Sequence, residues 1–276
     1  MKNDRNGAYR GGSADHKKFR ENRPEESENG ETIIYGRNAV IEALRAKVPI
    51  NRILIAGEKN GSVNVIIALA KENGVVFASA SKEKISELTG TENHQGVAAC
   101  LAAAEYCDID DILKIAEERG EPPFVIILDE IQDAHNLGAV IRTADAVGAH
   151  GVIIPKRRAA SLTGVVAKTS AGAVSHVAVA RVPNIPAAIE TLKKNGLWIA
   201  GTDLDGDTRF YDADFKGPIG IVIGSEGNGM GRLVRESCDF ILTIPMRGMV
   251  SSLNASVAAG VVLYEVFRQR NGRIKE

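Results

Sequence analysis

The sequence predicts an α/β protein with two units, a small one followed by a larger one built on a mostly parallel sheet. Short apolar runs alternate with helical patterns along nearly the whole chain, which is typical of strands connected by helices. Residues 124–128 and 219–223 are continuously apolar, as expected when both faces of a sheet are covered. A charged stretch ending in Pro122 and Pro123 divides the two series of elements.

The first 30 residues form a predicted polar tail. They contain almost no aliphatic side chains, so they cannot bury enough surface to fold on their own. Lys17, Lys18, Arg20 and Arg23 lie together ahead of several glutamates. A solvated tail and a loose arm that contacts phosphates both fit this pattern.

Residues 31–105 are predicted to form the small unit, with helices on both faces of a sheet. The predicted helices cover 38–46, 62–73 and 82–88, and the predicted strands cover 52–56, 75–78 and 96–101. No catalytic constellation is visible here. The polar residues at the ends of these elements are interpreted as structural, namely Arg37, Asn38, His94 and Gln95.

Residues 106–121 are predicted to be a charged linker with a short helix, and 122–276 to be the larger unit. Its predicted strands cover 124–128, 151–154, 176–180, 197–200, 219–223 and 240–244, and its helices 137–147, 163–168, 185–194 and about 252–270. In such sheets ligands bind beyond the carboxyl ends of the strands. The polar clusters of the larger unit all fall there.

Charge, hydropathy and cysteine content exclude several classes of protein. The net charge is −1, so a nucleic-acid partner must be met by a local basic patch. No apolar run is long enough to cross a bilayer, and the polar amino terminus has no apolar signal core, so the expected location is the cytoplasm. Cys100, Cys107 and Cys238 are odd in number and lack CxxC spacing, which predicts buried free thiols with neither a disulfide nor a zinc site.

The first polar cluster follows strand 124–128. Asn136 is a plausible helix cap and Gly148 a plausible helix stop. Arg142 stands unusually in a run of small and aliphatic residues. It lies about 1.7 helical turns beyond Asn136, so both side chains can point towards the strand ends. An ion pair of Arg142 with Asp145 is the alternative.

The second cluster is the glycine-rich segment 224–231, directly after strand 219–223. It matches neither a P-loop nor the G-x-G-x-x-G pattern, which argues against an NTPase. Its glycines supply backbone that can approach a ligand closely. Glu226 is its only ionisable side chain, and it is interpreted as binding a ribose hydroxyl or a partner arginine, with simple solvation as the alternative.

The third cluster is the loop after strand 240–244, which opens into the last helix. It carries Arg247, Ser251, Ser252, Asn254 and Ser256. A structural cap needs only one Ser or Asn. Three such residues, Ser252, Asn254 and Ser256, stand within five positions here, which favours a functional role over capping alone.

The remaining chemistry is limited. His135 and His176 are isolated and are interpreted as structural, and no cysteine nucleophile or metal cluster is apparent. The sequence therefore predicts group transfer between positioned partners.

Three segments carry a family resemblance. They read N-x-G-x-x-x-R at 136–142, G-S-E-G-x-G at 224–229 and I-P-M-x-G-x-x-x-S-L-N at 244–254. In this order they resemble the three motifs of the SpoU/TrmH group of SPOUT RNA methyltransferases, and Lys168-Thr-Ser-Ala-Gly-Ala173 is similar to this group as well. The resemblance covers about 32–270 and implies nothing for the tail.

The resemblance implies a small L30e-like domain that helps to bind RNA, followed by a SPOUT domain with a deep carboxyl-terminal trefoil knot. It also implies S-adenosylmethionine as cofactor, no metal, and a homodimer with the active site at its interface. Expected cofactor-binding residues are Gly224, Ile244, Leu253, Thr202 and Met246. The expected catalytic set is Asn136, Arg142, Glu226, Ser252 and Asn254.

The expected reaction is methylation of the ribose 2′-OH of a guanosine in 23S rRNA, since the likeness is nearest to enzymes with that activity. A tRNA ribose methyltransferase and a non-catalytic RNA-binding assembly factor are the alternatives. Arg142 is often proposed as the base in this family, but a guanidinium stays protonated in proteins. We therefore expect Arg142 to bind a phosphate and stabilise the developing alkoxide, Glu226 or water to take the proton, and Ser252 and Asn254 to orient the ribose.

Overall fold

Two sheets organise the protein, one in each predicted unit. The computed structural model describes residues 25–26, 32–57, 61–249 and 252–271. The predicted tail, with its basic cluster, lies outside these residues except for Glu25 and Glu26.

The amino-terminal sheet is mixed and has five described strands in the order β1-β2-β5-β3-β4. Only β3 and β4 pair in parallel. The elements are β1 (Glu25–Glu26), β2 (Thr32–Tyr35), α1 (Arg37–Arg45), β3 (Ile50–Ile55), α2 (Ser62–Glu72), β4 (Val76–Ser79), α3 (Lys82–Thr89) and β5 (Val97–Leu101). The three predicted helices and three predicted strands of this unit are confirmed, with ends that differ by one or two residues.

Two strands of this sheet were not predicted. The apolar run of β2 is only Ile33 and Ile34, too short to show a period. Glu25 and Glu26, at the end of the predicted polar tail, pair with Ile33 and Thr32. Edge pairing uses backbone groups, and composition does not reveal them.

The small unit has three layers, as predicted. Helices α1 and α2 pack on one face of the sheet, where Leu44 and Ile66 meet Ile53. Helix α3 packs on the opposite face, where Ile85 meets Ile33. Each of these five side chains is at most 2% exposed.

Helix α4 (Ile109–Arg119) fills most of the predicted linker. It begins with a capping box formed by Asp108 and Asp111. Its Ile112 is fully buried in a core cluster of the larger unit, so close to Gly151 that a Cβ there would lie 2.6 Å from Ile112 Cδ1. The charged stretch is therefore packed against the larger sheet.

The larger sheet is parallel throughout its described pairs, in the order β10-β12-β9-β11-β6-β7-β8. The predicted mostly parallel sheet is confirmed. Its strands are β6 (Phe124–Leu128), β7 (Gly151–Pro155), β8 (Val179–Val182), β9 (Trp198–Thr202), β10 (Thr208–Arg209), β11 (Ile219–Ile223) and β12 (Phe240–Thr243). Its helices are α5 (Ala134–Ala146), α6 (Gly164–Thr169), α7 (Ile185–Lys194), α8 (Arg232–Ser237) and α9 (Ala255–Asn271).

Differences from the predicted elements are local. The strand predicted at 176–180 begins three residues later, because Ala173–Ser175 form a 3₁₀ turn that ends at the exposed His176. Strand β10 and helix α8 were not predicted, since two and six residues carry too little periodicity to detect.

Both faces of the larger sheet are buried. Ile126 and Leu128 of β6 lie in the cluster with α5 and α9, whereas Val125 and Ile127 lie in the cluster with α4 and α7. This explains why β6 reads as a continuous apolar run.

The trefoil knot implied by the family resemblance remains a prediction. Strand β12 lies between β10 and β9, and a Cβ at Gly206 would lie 2.6 Å from the carbonyl carbon of Leu242. These segments therefore pack backbone against backbone. Among the described residues, no helix combines the length and apolar character that a membrane crossing requires.

Candidate active site

The polar clusters predicted from sequence follow three strands whose carboxyl ends lie at one edge of the larger sheet. Strands β6, β11 and β12 end at Leu128, Ile223 and Thr243, and the three clusters come directly afterwards. Because the strands are parallel, these segments meet at the same edge.

Asn136 does not cap its helix, contrary to the sequence prediction. Helix α5 begins after Asp133, whose carboxylate accepts a hydrogen bond from the backbone N–H of His135 at 2.9 Å. Asn136 is the third residue of α5 and is 7% exposed. Since Asp133 takes the capping role, the Asn136 amide is available for other contacts. Gly148, the predicted stop, adopts φ 72° just beyond the helix end.

Asn136, Glu226 and Asn254 form one hydrogen-bonded cluster, which we call the amide–carboxylate cluster. Asn136 Nδ2 donates to Glu226 Oε1 at 3.0 Å, and Asn254 Nδ2 donates to Asn136 Oδ1 at 3.0 Å. Asn254 Nδ2 also contacts Glu226 Oε1, which accepts a longer bond from Ala255 N at 3.4 Å. The Glu226 Oε2 atom has no partner among the described residues.

Asn254 has two roles. Its Oδ1 accepts hydrogen bonds from the backbone N–H of Ser256 at 3.0 Å and of Val257 at 3.2 Å, which caps α9, and from Ser256 Oγ at 2.6 Å. Its Nδ2 faces the amide–carboxylate cluster. One side chain therefore both caps α9 and holds the cluster together. Ser251 of the same loop lies outside the described residues.

The glycine-rich segment folds into a tight loop. Ser225 and Gly229 exchange backbone hydrogen bonds of 2.9 and 3.0 Å, and Gly229 adopts φ 64°. A Cβ at Gly224 would lie 2.3 Å from the carbonyl carbon of Gly229 and 2.5 Å from the nitrogen of Met230. No side chain fits at Gly224, because both neighbouring atoms belong to backbone.

Asp129 fixes the far end of this loop, a role that sequence reasoning missed. Its side chain is 6% exposed, and Oδ2 accepts from the backbone N–H of Gly231 at 2.7 Å. Burial raises the pKa of this carboxyl, and the hydrogen bond from Gly231 opposes the rise. A carboxylate directly after a buried strand was the signal available in the sequence.

A cavity of about 410 Å³ opens beside the cluster, within the usual range for small-molecule sites. All five expected cofactor-binding residues line it, together with two of the expected catalytic set. These are Thr202, Gly224, Ile244, Met246 and Leu253, with Glu226 and Ser252.

Several lining residues were not predicted, among them Asp203, Leu204, Leu242 and Ala258. Asp203 accepts from Arg235 Nη1 at 2.7 Å and from its neighbour Leu204 N at 2.8 Å, which holds the loop after β9. That loop was missed because a lone Asp-Leu pair carries no motif.

Arg142 lies apart from the cavity lining. It is exposed, and it has neither a hydrogen bond nor an ion pair within the described part of the chain. The alternative ion pair with Asp145 is not formed. His135 is also exposed, with Nδ1 at 3.4 Å from Thr169 Oγ1.

The three cysteines are free, and only Cys100 is buried; Cys107 and Cys238 are half-buried. Burial raises the pKa of Cys107 to about 11 and that of Cys238 to about 12, so neither forms a thiolate nucleophile near neutral pH. Within residues 32–57, 61–249 and 252–271, no group of three His, Cys, Asp or Glu side chains is placed to hold a metal.

Fold and site together define a class of protein. A parallel α/β sheet carries a cavity for a small ligand at its carboxyl edge, next to amides and a carboxylate that can orient a second partner. Such a site suits a group-transfer enzyme that accelerates its reaction by positioning two reactants.

Comparison with known proteins gives the family. Residues 123–264 match the SpoU rRNA methylase family, and residues 33–107 match the RNA 2′-O ribose methyltransferase substrate-binding family. The chain therefore belongs to the SpoU rRNA methylase family, and it is an RNA methyltransferase.

Relatives and solved structures agree with this placement. The chain is 49% identical over 239 residues to YacO of Bacillus subtilis strain 168, which is named for the TrmH family of tRNA/rRNA methyltransferases; the match covers 86% of this chain and 96% of YacO. A Staphylococcus saprophyticus protein named for the same family is 51% identical, over 87% of this chain and 97% of its own. The SpoU methyltransferase AviRb of Streptomyces viridochromogenes, crystallised with AdoMet, superposes with a TM-score of 0.55 at 27% identity, over 87% of this chain and 91% of AviRb.

Proposed function

We propose that this chain is a cytoplasmic, homodimeric enzyme that transfers a methyl group from S-adenosylmethionine to the ribose 2′-OH of a guanosine in 23S rRNA. One observation carries the proposal. Three segments far apart in sequence supply the amide–carboxylate cluster, and it adjoins the cavity that all five expected cofactor residues line.

The cavity suits S-adenosylmethionine in shape and chemistry. Aliphatic side chains of Leu242, Ile244 and Leu253 provide apolar walls for an adenine ring, and the loop at Gly224 brings backbone polar groups close. Glu226 also lines the cavity, so a negative charge faces a ligand that carries a positive sulfonium. When bound, this cofactor supplies an electrophilic methyl group.

The cluster residues then orient the ribose. Glu226 Oε1 is held by the amides of Asn136 and Asn254, which leaves Oε2 as the acceptor for the proton of the 2′-OH. Ser252, exposed at the cavity, donates to or accepts from the ribose.

Arg142 contacts a phosphate next to the target nucleotide. The structure leaves its guanidinium exposed and without a partner among the described residues, as a phosphate-binding role requires. A guanidinium is unsuitable as the base because it remains protonated.

An apolar surface on α9 supports the homodimer. Val257 and Tyr264 lie seven positions apart, on one side of the helix, and are 52% and 53% exposed. Val261 lies between them on the same side. Val261 is half-buried, and a helix that leaves its two apolar neighbours exposed is suited to packing against a second copy.

Transfer RNA is the second candidate substrate, because the named relatives belong to a family of tRNA/rRNA methyltransferases. Incubation with radiolabelled S-adenosylmethionine and either 23S rRNA or bulk tRNA separates the two. We expect label in 23S rRNA, at a guanosine whose ribose methylation disappears in a deletion strain. Label in tRNA alone would replace the proposed substrate. Binding of RNA without turnover would favour the assembly-factor alternative.

A further inference from the structure

A cluster of polar side chains joins the amino-terminal unit to the methyltransferase unit, and the site described above does not use it. Its members are Asn51 at the start of β3, Tyr106 after β5, and Arg181 on β8. We call these three residues the interdomain latch.

Asn51 is the centre of the latch. It is 1% exposed, and all of its amide groups are paired. Its Nδ2 donates to the carbonyl of Leu101 at 3.1 Å within its own unit and to the carbonyl of Leu162 at 3.0 Å in the other unit. Its Oδ1 accepts from the Tyr106 hydroxyl at 2.7 Å. One buried amide therefore bridges the two units.

Tyr106 and Arg181 complete the connection. The Tyr106 oxygen accepts from the backbone N–H of Leu162 at 2.9 Å, and the Arg181 guanidinium lies 5.1 Å from the centre of the Tyr106 ring. Arg181 Nη1 donates to the backbone carbonyl of Asn51 at 2.8 Å. Burial raises the pKa of Tyr106 and lowers that of Arg181. At neutral pH the hydroxyl thus keeps the proton that it donates.

Two further bonds flank the latch. The backbone N–H of Ala103 donates to the carbonyl of Leu162 at 2.8 Å, and Lys156 Nζ donates to the carbonyl of Gly74 at 3.2 Å. The contacts of the latch and the two flanking bonds all depend on direction as well as distance. An apolar contact tolerates sliding and rotation, whereas a fully satisfied polar network permits one relative arrangement.

We infer that the interdomain latch holds the substrate-binding unit in one fixed orientation to the methyl-transfer site, so that Asn51, Tyr106 and Arg181 are positioning residues for the RNA. The inference rests on the proposed function in that the positioned substrate is RNA. A unit that is already oriented loses less conformational freedom when a long substrate spans both units, which strengthens binding without adding a contact.

The test compares Tyr106→Phe with Tyr211→Phe in the full chain. The first removes one hydroxyl that makes two bonds across the latch and keeps the ring beneath Arg181. The second removes the hydroxyl of an exposed tyrosine outside the latch and the cavity lining. Amide hydrogen exchange at Ala103 and Leu162 reports the latch, and steady-state kinetics separate KM for RNA from kcat.

For Tyr106→Phe we expect exchange at Ala103 and Leu162 to rise about tenfold, and KM for RNA to rise about threefold to tenfold with kcat nearly unchanged. Affinity for S-adenosylmethionine and exchange within β11 should stay at the values of the unaltered protein. Tyr211→Phe should match that protein throughout.

Three results would overturn the inference: unchanged exchange in Tyr106→Phe, raised exchange with an unchanged KM, or an equal rise of KM in Tyr211→Phe. A fall in kcat together with a loss of cofactor affinity would also overturn it, since that pattern marks general damage. If the unaltered protein methylates no RNA, the proposed function fails. The exchange measurement then still decides whether the latch holds the two units.

Discussion

The two edges of the seven-stranded sheet differ in how completely their polar groups are paired. At the carboxyl edge, Glu226 and Gly224 line a cavity, and Glu226 Oε2 has no partner among the described residues. At the amino edge, side chains connect the ends of strands and loops, and nearly all of their hydrogen bonds are made to backbone groups.

Arg270 shows this pairing most clearly. Its guanidinium donates to four backbone carbonyls and lies 5.2 Å from the centre of the Phe124 ring. The carbonyls belong to Pro122 at 2.6 Å, Pro123 at 3.1 Å, Phe215 at 3.0 Å and Gly217 at 2.6 Å. These bonds fasten the last helix to the entry of β6 and to the segment before β11.

His150 makes a second set of hydrogen bonds at the same edge. It is 2% exposed, its Nδ1 accepts from the backbone N–H of Phe124 at 2.9 Å, and its Nε2 lies 3.1 Å from a carboxylate oxygen of Glu121. Burial lowers its pKa, which favours the neutral ring that this acceptor role requires.

The comparison indicates that one edge of the sheet contributes mainly to function and the other mainly to stability. In a parallel sheet all the carboxyl-end loops meet on one side, so the groups that a ligand needs can remain unpaired there. The opposite side is free to be fully paired. Substitutions at the carboxyl edge should therefore lower activity more than stability, and those at the amino edge the reverse.

The largest effect is expected for Glu226→Gln. Glutamine keeps an oxygen for the amides of Asn136 and Asn254. It replaces Oε2, which none of the described residues contacts, with an NH₂ group that cannot take a proton. We expect kcat for RNA methylation to fall about 10³-fold, with the melting temperature unchanged. Glu236→Gln, at an exposed ion pair with Arg232, is the matched control. Near-normal turnover in Glu226→Gln would assign proton transfer to another group.

The next largest effect is expected for Arg270→Met, at the other edge. Methionine retains the length of the side chain but leaves three of the four carbonyls without a donor among the described residues, since only the Pro123 carbonyl keeps a second bond, from the backbone N–H of Ile219. The free energy of unfolding should therefore fall by about 3 kcal/mol. Activity per folded molecule should persist. Urea unfolding of Arg270→Met and of the exposed control Arg232→Met measures the difference. A similar small loss in both would contradict the assigned role of Arg270.

Gly224→Ala should have a moderate effect on cofactor binding. The added methyl group collides with the backbone of Gly229, so the loop must open and the cavity wall must move. We expect affinity for S-adenosylmethionine to fall about tenfold, which calorimetric titration measures. Gly217→Ala has open space within 4 Å of the new Cβ and should bind normally. Equal losses in both variants would show that the close approach at Gly224 is unimportant.

The smallest effect concerns pH. Hydrogen bonds from Arg268, followed by that from Gln269, hold the pKa of Glu265 below its ordinary value of 4.5. A lowered carboxyl pKa stabilises the folded state above that value, and the contribution is lost as the pH falls through the folded-state pKa. Glu265→Gln should therefore lower the melting temperature by about 2 °C at pH 7 and by less at pH 3.5. A difference that grows on acidification would contradict the assigned sign.

The sequence predicted the larger sheet better than the smaller one. Strand β6 and helix α7 occupy the predicted residues because their apolar runs are bounded by clear turn and cap signals, such as Asn184 ahead of α7. Strand β2 and the pairing of Glu25 and Glu26 were missed, because their partners lie far along the chain or depend on backbone alone.

The site was also predicted in part, from its local motifs but not from its long-range contacts. The motifs identified Asn136, Glu226 and Asn254 as candidates, since each stands in an unusual local pattern. They did not reveal that Asp133 rather than Asn136 caps α5, because a helix start offers several acceptors and tertiary contacts decide between them. They also did not reveal what Asp129 binds, because its partner Gly231 lies 102 positions away.

Because Asn254 has two roles, formation of the first turn of α9 is coupled to assembly of the amide–carboxylate cluster. The atom that starts the last helix and the atom that holds Asn136 and Glu226 belong to one planar amide, so unwinding the first turn of α9 would also disperse the cluster. Ligands that bind to the assembled cluster should thus make the carboxyl-terminal helix more resistant to unfolding and proteolysis. Occupancy of the pocket would in this way protect the end of the chain.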